Sequence, residues 1–149
     1  MANAADVAAA ILERSGPMST MKLQKLLYYC QAWHLVWEDE PLFPERIEAW
    51  VNGPVVPEIY HAHKGNFSVS KWTNGNSSSL TQGECSTIDA VLEFYGSRTA
   101  QWLSQVSHQE SPWKDARDGL APGARGSQII SHEAMQGYYA GLPPVDGQE

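Results

Sequence analysis

The chain has 149 residues, of which 42% are apolar and 18% charged. That is one globular domain, long enough to bury about 70% of its unfolded surface without a disulfide or metal staple. The net charge of −7 counts against an autonomous nucleic-acid or anionic-membrane surface, since both call for a basic face.

Helical spacing of Val7, Ala8, Ile11 and Leu12 predicts a first helix over 4–15, stopped by Gly16-Pro17. Ser19 or Thr20 can cap a second helix over about 21–38. On that helix Leu23, Leu26, Leu27, Cys30, Trp33, His34 and Trp37 share one face. Only Gln24, Gln31 and Glu38, seven residues apart, form a reliably polar line. A helix so apolar belongs at the centre of a domain. Its Gln24, Tyr28, Gln31, Leu35 strip is a candidate partner surface.

Pro41 and Pro44 turn 38–45 into a polar loop. Alternation of Ile47, Ala49 and Val51 predicts a short strand over 46–52, ended by Gly53-Pro54, with a short helix to His63 opened by Pro57. Phe67, Val69 and Trp72 mark a second short strand. Asn74-Gly75 and the serines after it read as an exposed, mobile loop. Thr81 and Glu84 fit a capping box for a helix that stops at Gly96. A further helix runs over about 98–108, residues 109–128 read as loop, and Ser131 caps a final helix through Tyr139. The expected fold is mainly α: five or six helices around a buried central one, with a small β element. Residues 1–142 form the domain and 143–149 a flexible tail.

The start of the chain lacks a basic signal-peptide region, and no apolar run approaches the 18–20 residues of a membrane span. Cys30 and Cys85 fit no CxxC pattern and read as reduced. A cytoplasmic location follows as an expectation. The charge is uneven: residues 38–58 hold six carboxylates and one arginine. Glu38, Glu40, Glu45 and Glu48 are therefore candidates for steering a basic partner. Tyr60 and Trp72 are candidate apolar anchors beside them.

Catalytic chemistry finds little purchase. His61-x-His63 could join Cys85, His108 or His132 around a metal, but helical i, i+2 spacing separates the pair by about 200°. A small hydrolase using His61, His63 or His108 is one alternative; a DNA-binding regulator is another, though the second helix carries only Lys22 and Lys25 as basic groups. No nucleophile elbow, dinucleotide fingerprint or phosphate loop occurs.

Residues 21–35 (Met-Lys-Leu-Gln-Lys-Leu-Leu-Tyr-Tyr-Cys-Gln-Ala-Trp-His-Leu), Pro41-Leu-Phe and 47–60 (Ile-Glu-Ala-Trp-Val-Asn-Gly-Pro-Val-Val-Pro-Glu-Ile-Tyr) together resemble the Panacea domain of SocA-like antitoxins, a family that also contains phage-associated proteins. The likeness continues more weakly through Leu80-Thr81, 107–113 and 130–139. It implies a protein without enzymatic activity or cofactor that neutralises a toxin encoded nearby by direct binding, or an adaptor that delivers the toxin to a bacterial protease. Its motif residues here are Leu23, Gln24, Lys25, Leu26, Leu27, Tyr28, Trp50, Gly53, Pro54, Val55, Pro112 and Trp113. They read as structural, with Gly53 a sharp turn and Pro54 its stiffener. No nucleic-acid or membrane partner is expected.

Overall fold

A computed structural model describes residues 2–142. The element order is α1 (Ala4–Ser15), β1 (Met18–Ser19), α2 (Thr20–Glu38), β2 (Glu48–Trp50), β3 (Gly53–Val55), α3 (Pro57–His63), β4 (Ser68–Val69), a 3-10 turn at Ser77–Ser79, α4 (Gln82–Tyr95), α5 (Ala100–Gln109), α6 (Ser111–Ala116) and α7 (His132–Ala140). The protein is mainly α, as the periodicity predicts. The tail reading for 143–149 lies outside the described residues.

The central helix is α2. It packs against α1, α4, α5 and α7, and Leu23 through Leu35 are buried without interruption. Ser19 accepts a hydrogen bond from the Lys22 amide at 3.1 Å and so caps the helix. Such a cap contributes about 1 kcal/mol. At the other end Asp39 turns left-handed (φ 58°), and Gln136 of α7 donates to both the Leu35 carbonyl and the Asp39 carboxylate.

Of the polar line along α2, only Glu38 is at the surface. Gln24 and Gln31 are buried, each holding a segment that has left regular structure. Gln31 Oε1 accepts from the Leu42 amide at 2.7 Å, while its Nε2 donates to the Phe43 carbonyl at 2.8 Å. Gln24 does the same for Val56, accepting from its amide and donating to its carbonyl. A primary amide presents one donor edge and one acceptor edge, so it can replace a missing stretch of sheet. The candidate strip of Gln24, Tyr28, Gln31 and Leu35 is therefore corrected: it lies inside the domain, enclosed by the 42–43 and 56 segments and by α7.

The β structure forms two separate ribbons rather than one element. Strands β2 and β3 form a hairpin with Trp50 opposite Gly53 and Glu48 opposite Val55, so Gly53 opens a strand as well as making the turn. Residues 128–130 run along the outer edge of β2 through the Ala49 amide to the Gln128 carbonyl and the Ile130 amide to the Ile47 carbonyl, each 2.8 Å. Strand β4 pairs instead with β1, far from the hairpin in sequence. Periodicity can suggest that a segment is extended, but it carries no information on its partner.

Two further segments depart from expectation. Helix α6 lies within the 109–128 stretch read as loop. It has one turn and a half, with Pro112 at its start, and is too short for a periodic signal. The Asn74–Ser79 segment is not free: the Asn76 amide and Ser79 hydroxyl donate to Asp6, and Ser77 donates to Glu13. Gly75 is required there, because a Cβ would collide with the Ala5 carbonyl of α1. The Thr81–Glu84 capping box is present as read.

Candidate functional site

The hairpin, the N-terminal half of α2, α3 and the 125–127 segment enclose a cleft of about 570 Å³, within the size range of ligand pockets. The motif residues assemble its floor and hold one another in place. Gln24 fixes Val56, just after β3, and its Nε2 also lies 3.0 Å from His63 Nε2 at the end of α3. Because Gln24 Oε1 already accepts from Val56, its Nε2 is the donor, and His63 Nε2 must accept as a neutral imidazole. Burial, together with the charge of Lys25, lowers the His63 pKa to match. On the hairpin's far side Trp113 donates to the Trp50 carbonyl at 2.8 Å and Arg117 to the Ala49 carbonyl at 2.9 Å.

Lys25 is the anomaly of this site. It is 1% exposed, yet its ammonium makes no hydrogen bond or ion pair among the described residues. It lines the cleft beneath Gly53, where a Cβ would come within 2.5 Å of Lys25 Cε and 3.3 Å of Nζ. The glycine therefore serves two ends: its φ of +122° suits the hairpin, and its missing side chain leaves room for the lysine. Burial lowers the Lys25 pKa from 10.5 to about 8. The charged form thus costs about 3 kcal/mol relative to the unfolded chain near neutral pH. Its charge also pushes down the pKa of His63 and His108, though in both burial is the larger cause. His108 Nε2 is sealed without a partner, its ring lying 4.2 Å from that of Trp113.

Among the described residues no Asp or Glu lines the cleft; Arg125 is its second cation. In a chain of net charge −7 the cleft therefore runs against the overall charge. Trp50 and Tyr60, packed edge to face at 4.8 Å, form an aromatic wall.

The four candidate acids do not gather there. Glu38 and Glu40 are exposed. Glu45 accepts from the Ala4 amide at 3.0 Å. Glu48 is buried, accepting from Arg46 at 2.7 Å and from Trp50 Nε1 at 2.8 Å. Two of the four are thus spent within the fold. Of the apolar candidates, Tyr60 lines the cleft, Trp72 is half-buried with its ring 6.4 Å from His63, and Tyr28 and Leu35 are core. The two histidines of the His61-x-His63 pair part company, His61 exposed and His63 buried. Cys30 is buried and unbridged, and burial pushes its thiol pKa far up, so it is a poor nucleophile.

A buried polar network that sequence reasoning missed joins α2 to α7 through Glu110. Glu110 accepts from the Tyr29 hydroxyl at 2.7 Å and the Tyr139 hydroxyl at 2.6 Å, and Tyr139 also meets the Tyr28 hydroxyl at 2.9 Å. Burial raises the Glu110 pKa, opposed by the two tyrosine hydroxyls. The tyrosines of α2 gave half a signal; their acceptor stands 81 residues from Tyr29.

No helix among the described residues is long and apolar enough to cross a membrane. No solved structure matches the chain. Over 116 residues it is 37% identical to Antitoxin SocA of Caulobacter vibrioides (strain NA1000 / CB15N), an alignment covering 69% of this chain and 62% of that relative. The family described as "Antitoxin SocA-like, Panacea domain" matches residues 23–114. That span takes in Gln24, Lys25, the hairpin and Trp113, and the chain belongs to the Antitoxin SocA-like, Panacea domain family.

Proposed function

We propose that this protein is an antitoxin that neutralises a protein toxin by binding it directly in the cytoplasm, without a catalytic step. Family membership is the observation that carries this reading. The geometry supports it. The motif side chains Gln24 and Trp113 are committed to holding the hairpin and the residue after it, and His63 accepts a structural hydrogen bond from Gln24. The cleft offers cations and aromatic walls at the surface of a rigid scaffold, a combination suited to binding.

Co-expression tests the reading. The product of the adjoining reading frame should arrest growth when expressed alone. This chain should restore growth and co-purify with that product. Rescue should persist in a host lacking its ATP-dependent proteases, because occlusion needs no degradation. An adjoining product that is harmless alone, or that never co-purifies, would overturn it.

A further inference from the structure

We propose that the cleft over Lys25 receives an acidic side chain of the partner protein, while apolar residues of the same partner cover Met21 at its rim and Phe67 in the adjoining groove. This rests on the binding role proposed above and supplies the chemistry of the contact.

Three observations lead to it. Lys25 is almost wholly buried, its ammonium lacks any counter-charge among the described residues, and the residue lines an open cleft. A buried charge left unpaired is costly, and a carboxylate placed beside it recovers that cost on binding. The lining supplies cations and neutral donors with no competing acid, so the missing group is an anion. Finally, Met21 lines both this cleft and a second, largely apolar groove of about 420 Å³ that also contains Phe67. Phe67 is 85% exposed and Met21 41%, two of the three exposed large apolar side chains among the described residues. A free small carboxylate would answer Lys25 and leave Phe67 bare. A polypeptide crossing from one depression to the other answers both.

The test uses the full chain and the product of the adjoining reading frame, titrated by calorimetry. Lys25→Met keeps the side-chain volume and removes the charge. It should bind about tenfold or more weakly, with a melting temperature no lower than that of wild type. Phe67→Ser, at an exposed position, should weaken binding by about threefold to tenfold with folding unchanged. One acidic residue of the partner, replaced by its amide, should lose no further affinity against Lys25→Met. Unchanged binding by Lys25→Met, or no such acid in a full scan, overturns the proposal. Tight binding of free succinate, with partner affinity unchanged in Lys25→Met, would assign the cleft to a small molecule and overturn it too.

Should wild type fail to bind the adjoining product, the functional reading falls, and the cleft is decided by a direct probe. N-acetylglutamate N-methylamide, titrated to about 50 mM in the weak-binding range, should shift the Lys25 ¹³Cε resonance saturably and raise its titration midpoint. A resonance that does not move overturns the proposal.

Discussion

Lys25 and Glu110 are both buried charged residues, and the fold treats them in opposite ways. Glu110 is buried and has two partners, the hydroxyls of Tyr29 and Tyr139, which donate to it. Lys25 has no such partner, and its pocket opens to a cleft. A buried charge surrounded by donors strengthens its network and fixes the helices that carry it. A buried charge facing an open cleft without a partner lowers the stability of the free protein and is a candidate for contact with a ligand. The presence of partners within the fold, rather than burial itself, separates the structural charge from the candidate binding charge.

The sharpest break of that contrast is Glu110→Ala. It strands the hydroxyls of Tyr29 and Tyr139 and opens a void, so chemical denaturation should register a loss of about 3 kcal/mol or more. Lys25→Met should move stability the other way, gaining up to about 3 kcal/mol near pH 7. A pH signature accompanies it. The folded-state pKa of about 8 lies below the unfolded 10.5, so between those values the unfolded chain holds more protons. Wild-type stability should therefore rise as pH climbs from about 8 toward 10.5, and Lys25→Met should lose that component. A variant less stable than wild type, with the slope intact, would refute the account of Lys25.

Gly53→Ala should cost about 1–3 kcal/mol, since the new methyl meets Lys25 Cε at a φ that L-residues rarely adopt. The Lys25 resonance should shift in the same variant. At the small end, Glu38→Gln with Glu40→Gln should change stability by less than about 0.5 kcal/mol, both being exposed. Their effect on a partner should be confined to a slower association rate at low salt.

Much of this fold is legible in the residues. The periodicity of Val7 to Leu12, the apolar circumference of α2 and the Thr81–Glu84 box are local patterns, and each appears where its pattern lies. Legibility fails where a residue's role depends on something distant. Gln24 and Gln31 look like a solvated line because their backbone partners, Val56 and Leu42-Phe43, follow in irregular segments. Glu45 and Glu48 look like a free acidic edge, yet one accepts from Ala4 at the start of α1 and the other from Arg46 and Trp50. Asn74–Ser79 has the composition of a mobile loop, but Asp6 and Glu13 dock it.

Charge shows the same division. By itself the sequence determined the helical class, the central place of α2, the caps of α2, α4 and α7, and a net −7 concentrated in residues 38–58. These follow from spacing and composition, which act over a few residues at a time. Tertiary structure alone decided that the described cleft over α2 would be cationic. Packing the hairpin over α2 enclosed Lys25 and kept every described carboxylate out of the lining. Net charge is a sum over the whole chain, whereas the field in a cleft depends on which few groups the fold brings within a Debye length and shields from water.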